Sequence, residues 1–336
     1  MDIDFVIPWV DGSDVKWLTK KNQYLDNPEP SIDSSINRYR DWGLLKYWFR
    51  GVHKFAPWVR KIYFVTDDQC PDWLNTKADK LCLIDHKDYI PHEYLPTFSA
   101  NPIELNVHRI KGLSEHFVFF NDDIFITSPV AEADFFRNGL PCGLAVESPI
   151  APDKDDVFNH ILLNDCAMLN HNYSRREFMR TQRSKRYSLV DGRGFLMNLA
   201  LSLFRRDSFF GFDYSHLASS FLKSNCEKVW ADNGEWLNRV CNNKFRSVDD
   251  VNQYIFTYYQ YVEGKFTPYN WHKLGYCFHY DSTDDNQCRD LCDMILNGRY
   301  KILCVNDVKV DNFEEVRNKV VDAFDSLLPE KSPFEL

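Results

Sequence analysis

The run Phe119-Phe120-Asn121-Asp122-Asp123-Ile124-Phe125 sets two adjacent carboxylates between apolar residues. An apolar run that stops at acids and then resumes is how a buried strand reads when it delivers charge to the rim of a sheet. Asp122 and Asp123 are of the type that holds a hard divalent cation, magnesium or manganese, and such a cation can grip a diphosphate. A second acid-tipped strand opens the chain, Ile3 to Val10 followed by Asp11-Gly12. Gly12 admits a close approach of backbone to ligand, although Asp-Gly is also a common turn pair. Taken alone, the acid pair reads equally well as a solvated turn after a buried strand. Two strands that both end in Asp point towards a nucleotide-sugar enzyme.

The elements that must position these acids alternate through the first half. Strands are expected at Ile3 to Val10, Lys61 to Thr66 (ending in Asp67-Asp68), Leu81 to Asp85 and Phe117 to Phe120. Between them the 3.6-residue spacing of Leu44, Leu45, Trp48, Phe49 and Val52 predicts a helix over 42–55. A helix from Asn101-Pro102 to about Ile110 starts with Pro in the first turn. Short apolar strands alternating with helices predict an α/β fold, a Rossmann-like core whose mostly parallel sheet is covered on both faces. Ligands of such sheets sit beyond the carboxyl ends of the strands, where Asp11, Asp67 and Asp122 fall. The second half predicts a helical elaboration, with helices over 187–204, 217–230 and 248–261. A late strand over 302–307 and a final helix over 313–328 follow. Residues 264–286 have the least regular pattern. The expected organisation is one unit over 1–336, with a nucleotide-sugar core at 1–150, a helical acceptor side at 151–300, and a C-terminal strand and helix over 301–336 returning to the core.

With 336 residues, 44% hydrophobic and 15% aromatic, the chain can bury a sizeable core, and its composition argues against disorder. A net charge of −9 argues against nucleic-acid binding. The ten cysteines are scattered without a CxxC pair, so a zinc ribbon is unsupported and reduced thiols are expected. Met1 leads straight into a charged strand rather than a signal peptide. No apolar run approaches the roughly 20 residues of a spanning helix. The expectation is a cytoplasmic protein, with peripheral association at the inner membrane face.

Ordered blocks then carry a resemblance. Trp9-Val10-Asp11-Gly12-Ser13-Asp14 resembles the first signature block of the Stealth proteins. Arg40-Asp41, Ala56-Pro57-Trp58-Val59-Arg60-Lys61-Ile62-Tyr63, Tyr94-Leu95-Pro96-Thr97-Phe98-Ser99 and the segment from His108-Arg109 to Asp122-Asp123 resemble the second. Gly211-Phe212, His216, Lys223, Phe245-Arg246-Ser247 and Asp250-Val251-Asn252-Gln253 resemble the third. Asn306-Asp307, Phe313 and Pro329 to Glu335 resemble the fourth. One departure is Ala218, where the family often has Pro two residues after the third block's histidine.

The resemblance implies transfer of a sugar-1-phosphate from a nucleotide-sugar donor to a hydroxyl of a glycan acceptor, in capsular or extracellular polysaccharide synthesis. A lipid-linked acceptor is part of that implication. It assigns His216 as general base with Asp11 as rival, Arg246 to the phosphate, and Asp122 and Asp123 to the metal. Gly12, Arg38, Arg40, Arg109, Asn121, Asn252, Asn306 and Asp307 become substrate contacts. Two alternatives stand beside it: a metal-dependent glycosyltransferase that breaks the C1–O bond, and a non-catalytic glycan-binding protein.

Overall fold

The computed structural model describes residues 1–25, 41–282 and 286–336; Arg38 and Arg40 lie outside them. The main sheet runs β3 (Leu81–Asp85), β2 (Ile62–Thr66), β1 (Ile3–Pro8), β4 (His116–Phe119) and β8 (Ser219–Leu222). The first four are parallel and β8 is antiparallel to β4. The order 3-2-1-4 is that of a Rossmann-like sheet, with its switch point between β1 and β4. A second sheet joins β10 (Gly275–Asp281), β11 (Ile302–Lys309) and β5 (Ile124–Ile126). A small third sheet holds β6 (Phe136–Arg137), β7 (Leu140–Gly143) and β9 (Thr267–Pro268).

Both faces of the main sheet are buried, which is why its central strands read as continuous apolar runs. Phe5, Ile7, Phe64 and Val118 point into one core, and Val6, Tyr63, Val65, Phe117 and Phe119 into the other. The first core is closed by α2 (Leu45–Phe55) and α12 (Phe313–Leu327), and the second by α3 (Ala100–Leu105), α5 (Val157–Asn172), α9 (Lys223–Cys241) and α10 (Tyr254–Val262). The remaining helices are α1 (Val15–Asn22), α4 (Glu132–Phe135), α6 (Arg175–Thr181), α7 (Arg183–Arg186), α8 (Gly192–Ser202) and α11 (Gln287–Asn297). Gly51 lets α2 lie directly on β5, since a Cβ there would stand 2.6 Å from the Ile126 carbonyl oxygen.

The second half departs from its sequence pattern. Residues 219–222, expected inside a helix, form β8, so Ala218 leads into a strand. Residues 275–281, in the stretch of least regular pattern, form β10 and pair along their length with β11. The helix expected over 187–204 is shorter, and that over 248–261 begins at Tyr254.

One fully buried ion cluster fixes the helical region. Glu147 accepts from Arg175 Nε at 2.5 Å and from Arg186 at 2.5 Å, and all three side chains are shielded from solvent. Arg175 also donates to the carbonyls of Leu201, Phe204 and Arg206. Asn198 on α8 bonds to Ala145, Arg186 and the amide of Glu147. Removing the carboxylate strands two guanidinium groups in the interior, where an uncompensated charge is costly. Glu147→Ala is expected to lower the unfolding free energy by about 3–5 kcal/mol, measured by urea denaturation.

Candidate active site

The carboxyl ends of β1 and β4 open into a cleft of about 550 Å³, within the usual range for a ligand site. One wall comes from the loop after β1, with Trp9 and Val10, and from the acid-bearing turn after β4. The other comes from β11, which returns from the far end of the chain. Val305 donates its amide to the Asp123 carbonyl at 2.8 Å, and this bond sets Asn306 and Asp307 beside the acid pair. A smaller lobe of about 260 Å³, lined by Trp17, Phe98 and Ile103, meets the main cleft at Trp9, Asn121, Asp122, Asp123 and Arg246.

Like charges crowd the junction. Asp122 opens onto the cleft, yet the protein mass around that concave surface displaces bulk water. This desolvation, with Asp123 and Asp41 adding repulsion, pushes its carboxyl up to about 7. Asp41 on the rim is raised as well, first by desolvation and then by the neighbouring charge of Asp11. His216 Nε2 lies 3.2 Å from Asp123 Oδ2. Burial alone would depress this imidazole, but the Asp123 charge and hydrogen bond outweigh it and lift His216 to about 9. Cys304 donates its thiol to the same Oδ2 at 3.3 Å.

A loop folded around Asp250 presents Arg246 and Asn252. The Asp250 carboxylate is buried and accepts from Asn101, Asn243 and the amide of Ser247. Asp165 receives the Asn252 amide. Asp250 therefore organises this loop rather than starting a helix. The Arg246 guanidinium faces Glu104 and Asp250 and makes no hydrogen bond among the described residues.

The residues present suit a divalent cation. Asp123 Oδ1 is buried without a hydrogen-bond partner, and the Asp122 carboxyl beside it is kept protonated by desolvation and then by the charges of Asp123 and Asp41, which a cation would offset. Donor atoms of Asp123, His216 and Cys304 lie within 4.8 Å of one another. The carboxylates favour a hard cation, whereas the thiol and imidazole favour a softer one.

Of the residues singled out in the sequence, Asn121, Asp122, Asp123, His216, Arg246, Asn252, Asn306 and Asp307 line this cleft. Asp11 and Gly12 do not. The Asp11 carboxylate is engaged by the amide and hydroxyl of Ser13, and its backbone is clamped by Gln69, which places it at the rim near Asp41. Arg109 is directed elsewhere. Helix α3 ends at Leu105, a 3₁₀ turn over Val107–Arg109 changes the phase, and the guanidinium stacks on Trp230 with 4.6 Å to the ring centroid. Asp67 is paired with Lys20 at 2.7 Å. Asp41, Glu104, Tyr214 and Tyr254 also line the cleft. Of these, only Asp41 carried a sequence signal, through its place in the second block.

Three conserved regions of the Stealth proteins match this chain: region 1 over residues 1–29, region 2 over 38–142 and region 4 over 293–336. The chain is 43% identical to the receptor polysaccharide phosphotransferase WefC of Streptococcus oralis, with 99% of each chain covered. It belongs to the Stealth family. This Stealth protein is likewise 43% identical, over 99% of each chain, to the capsular polysaccharide phosphotransferase WcwK of Streptococcus pneumoniae. It is 38% identical to an exopolysaccharide phosphotransferase of Lactiplantibacillus plantarum, over 99% of this chain and 96% of that one. Residues 143–292, which hold the third block, lie outside the three matched regions but inside these full-length alignments. Among solved structures, the bifunctional glycosyltransferase WbbM overlaps 97% of this Stealth chain and 51% of its own at 12% identity, with a TM-score of 0.39.

The acid pair makes this Stealth protein's stability depend on pH. In the metal-free state Asp122 keeps its proton up to about 7, against an ordinary value of 3.8. Between those values the folded chain holds a proton that the unfolded chain has lost, so stability is greatest below the lower value and falls as pH rises through 7. Thermal unfolding in chelator should show this slope, and Asp122→Asn should flatten it. Manganese affinity, read by calorimetry, should rise over the same interval as the carboxyl loses its proton.

Proposed function

We propose that this chain transfers a sugar-1-phosphate from a nucleotide diphosphate sugar to a hydroxyl of a glycan acceptor, as one catalytic unit over 1–336. The carrying observation is the convergence of Asp122, Asp123, His216 and Arg246 on one cleft at the switch point of the sheet. The near full-length relatives, named as polysaccharide phosphotransferases, support the same reading.

The acceptor oxygen attacks the phosphorus nearest the sugar. A new P–O bond forms, the bond to the second phosphate breaks, and the nucleoside monophosphate leaves. The sugar C1–O bond is untouched, so anomeric configuration is retained without a covalent intermediate. Such transfers depend on charge neutralisation and in-line positioning. Asp122 and Asp123 would hold Mg²⁺ or Mn²⁺, which supplies Lewis-acid stabilisation of the diphosphate oxygens when bound. Arg246 clamps the transferred phosphate through its planar fork. His216 takes the acceptor's proton at Nε2. That role needs the imidazole neutral, and neutralising the Asp123 charge removes what holds it protonated. The smaller lobe, with the aromatic rings of Trp17 and Phe98, suits a planar nucleobase, while Asn252, Asn306 and Asp307 border the larger space for the sugars. The acceptor is lipid-linked and presented at the cytoplasmic face of the membrane.

Incubation with a panel of nucleotide sugars, magnesium and acceptor should release nucleoside monophosphate, read by ion-exchange chromatography. Release of nucleoside diphosphate would replace this reading with glycosyl transfer. His216→Ala should reduce kcat by about 10²–10⁴-fold and change the pH–rate profile. Arg246→Lys should raise the donor KM and lower kcat, and an unaltered rate would remove the phosphate-clamp role.

A further inference from the structure

Seven of the seventeen exposed large hydrophobic residues among the described ones fall within residues 189–204. They are Leu189, Val190, Leu196, Met197, Leu199, Leu203 and Phe204, with Leu189 at 82% and Leu203 at 80% exposure. At about 100° per residue, Leu196, Leu199 and Leu203 form one stripe along α8 and its C-terminal continuation. The opposite face, with Gly194, Asn198 and Leu201, is buried. Its anchorage is firm: Asn198 and the Leu201 carbonyl are tied into the Glu147–Arg175–Arg186 cluster, and a Cβ on Gly194 would stand 2.4 Å from Val146 Cγ2. The helix therefore cannot roll to hide its outer leucines. Apolar surface gathered on one rigid helix marks a binding face.

The surrounding charge identifies what it meets. Residues 174–207 hold nine Arg or Lys against three Asp or Glu, in a chain whose net charge is −9. Arg183, Arg193, Arg205 and Arg206 are exposed, and none forms an ion pair among the described residues. A second copy docking by a two-fold axis would bring these cationic fringes together, which like-charge repulsion opposes. Leucines projecting between arginines match instead the boundary between acyl chains and acidic headgroups.

We propose that the outer face of α8 with its flanks, residues 189–206, docks the protein on an anionic lipid bilayer. The arginines contact lipid phosphates while Leu196, Leu199, Leu203 and Phe204 enter the interfacial layer. Arg193 on α8 is close enough for its charge to act on Asp213, the residue before Tyr214 of the cleft wall. Such docking would suit the lipid-linked acceptor of the function proposed above, and that part of the inference rests on that reading.

The full chain, without substrate, is sedimented with vesicles of phosphatidylglycerol and of phosphatidylcholine at low and high salt. The expected result is binding to phosphatidylglycerol that weakens with salt, with little binding to phosphatidylcholine. Leu196→Ser/Leu199→Ser/Leu203→Ser and, separately, Arg205→Glu/Arg206→Glu should each lower partitioning at least tenfold. Circular dichroism and nucleoside monophosphate release with soluble substrates should stay unchanged. The proposal is overturned if wild type ignores both vesicles, if it binds them equally, or if the variants bind as wild type does. It is also overturned if light scattering shows a wild-type dimer that the leucine variant makes monomeric, because a second copy is then the occupant. Vesicle binding that persists while no donor yields monophosphate retains the docking face and rejects the reaction.

Discussion

Two carboxylates in succession at the end of a buried strand cannot both stay ionised in a concave site without a counter-charge. Asp122 answers by holding a proton up to about 7, and Asp123 by drawing His216 into a pair that raises the imidazole to about 9. Asp41 and Glu104 add acid to the same walls, with Arg246 the cation facing them from the loop after α9. The metal-free cleft is thus electrostatically frustrated. Asp122 and His216 rest in protonation states opposite to those the proposed transfer would need, and a bound cation would offset both.

The fold can be read as the means of imposing this frustration. Strands buried on both faces leave β4 no lateral freedom, so the residues after Phe120 must emerge at the switch point. The loop around Asp250 is held by three hydrogen bonds to one buried carboxylate, and Arg246 on it makes no hydrogen bond among the described residues. The antiparallel register of β11 on β5 fixes the opposite wall. Each of the three walls is set by long-range contacts.

That division explains what could be read in the sequence. The strands β1, β2, β3 and β4 were legible because double burial makes them short apolar runs ending in acids. The acid pair was legible because it is local. Strand β8 was not: Leu217, Phe221, Leu222, Cys226 and Val229 repeat at helical spacing, and only the exposed edge of β4 converts Ser219–Leu222 into a strand. Strand β10 was hidden because its outward residues Tyr276 and His279 dilute the apolar pattern. Arg109 was misplaced because nothing local announces the end of α3 at Leu105. Glu104, Tyr214 and Tyr254 reach the cleft through tertiary packing alone, which leaves no mark on a linear pattern. The outward leucines of α8 were in plain view, but a leucine repeat gives no sign of which face is left uncovered.

Strand β11 comes from the last tenth of the chain, and the Arg50–Glu335 ion pair at 2.8 Å ties the very end of the polypeptide back to α2. A nascent chain leaving the ribosome therefore owns its acidic residues long before it owns the wall that faces them. Until β11 has been made and has paired with β5, the carboxylates after β4 face no opposite wall.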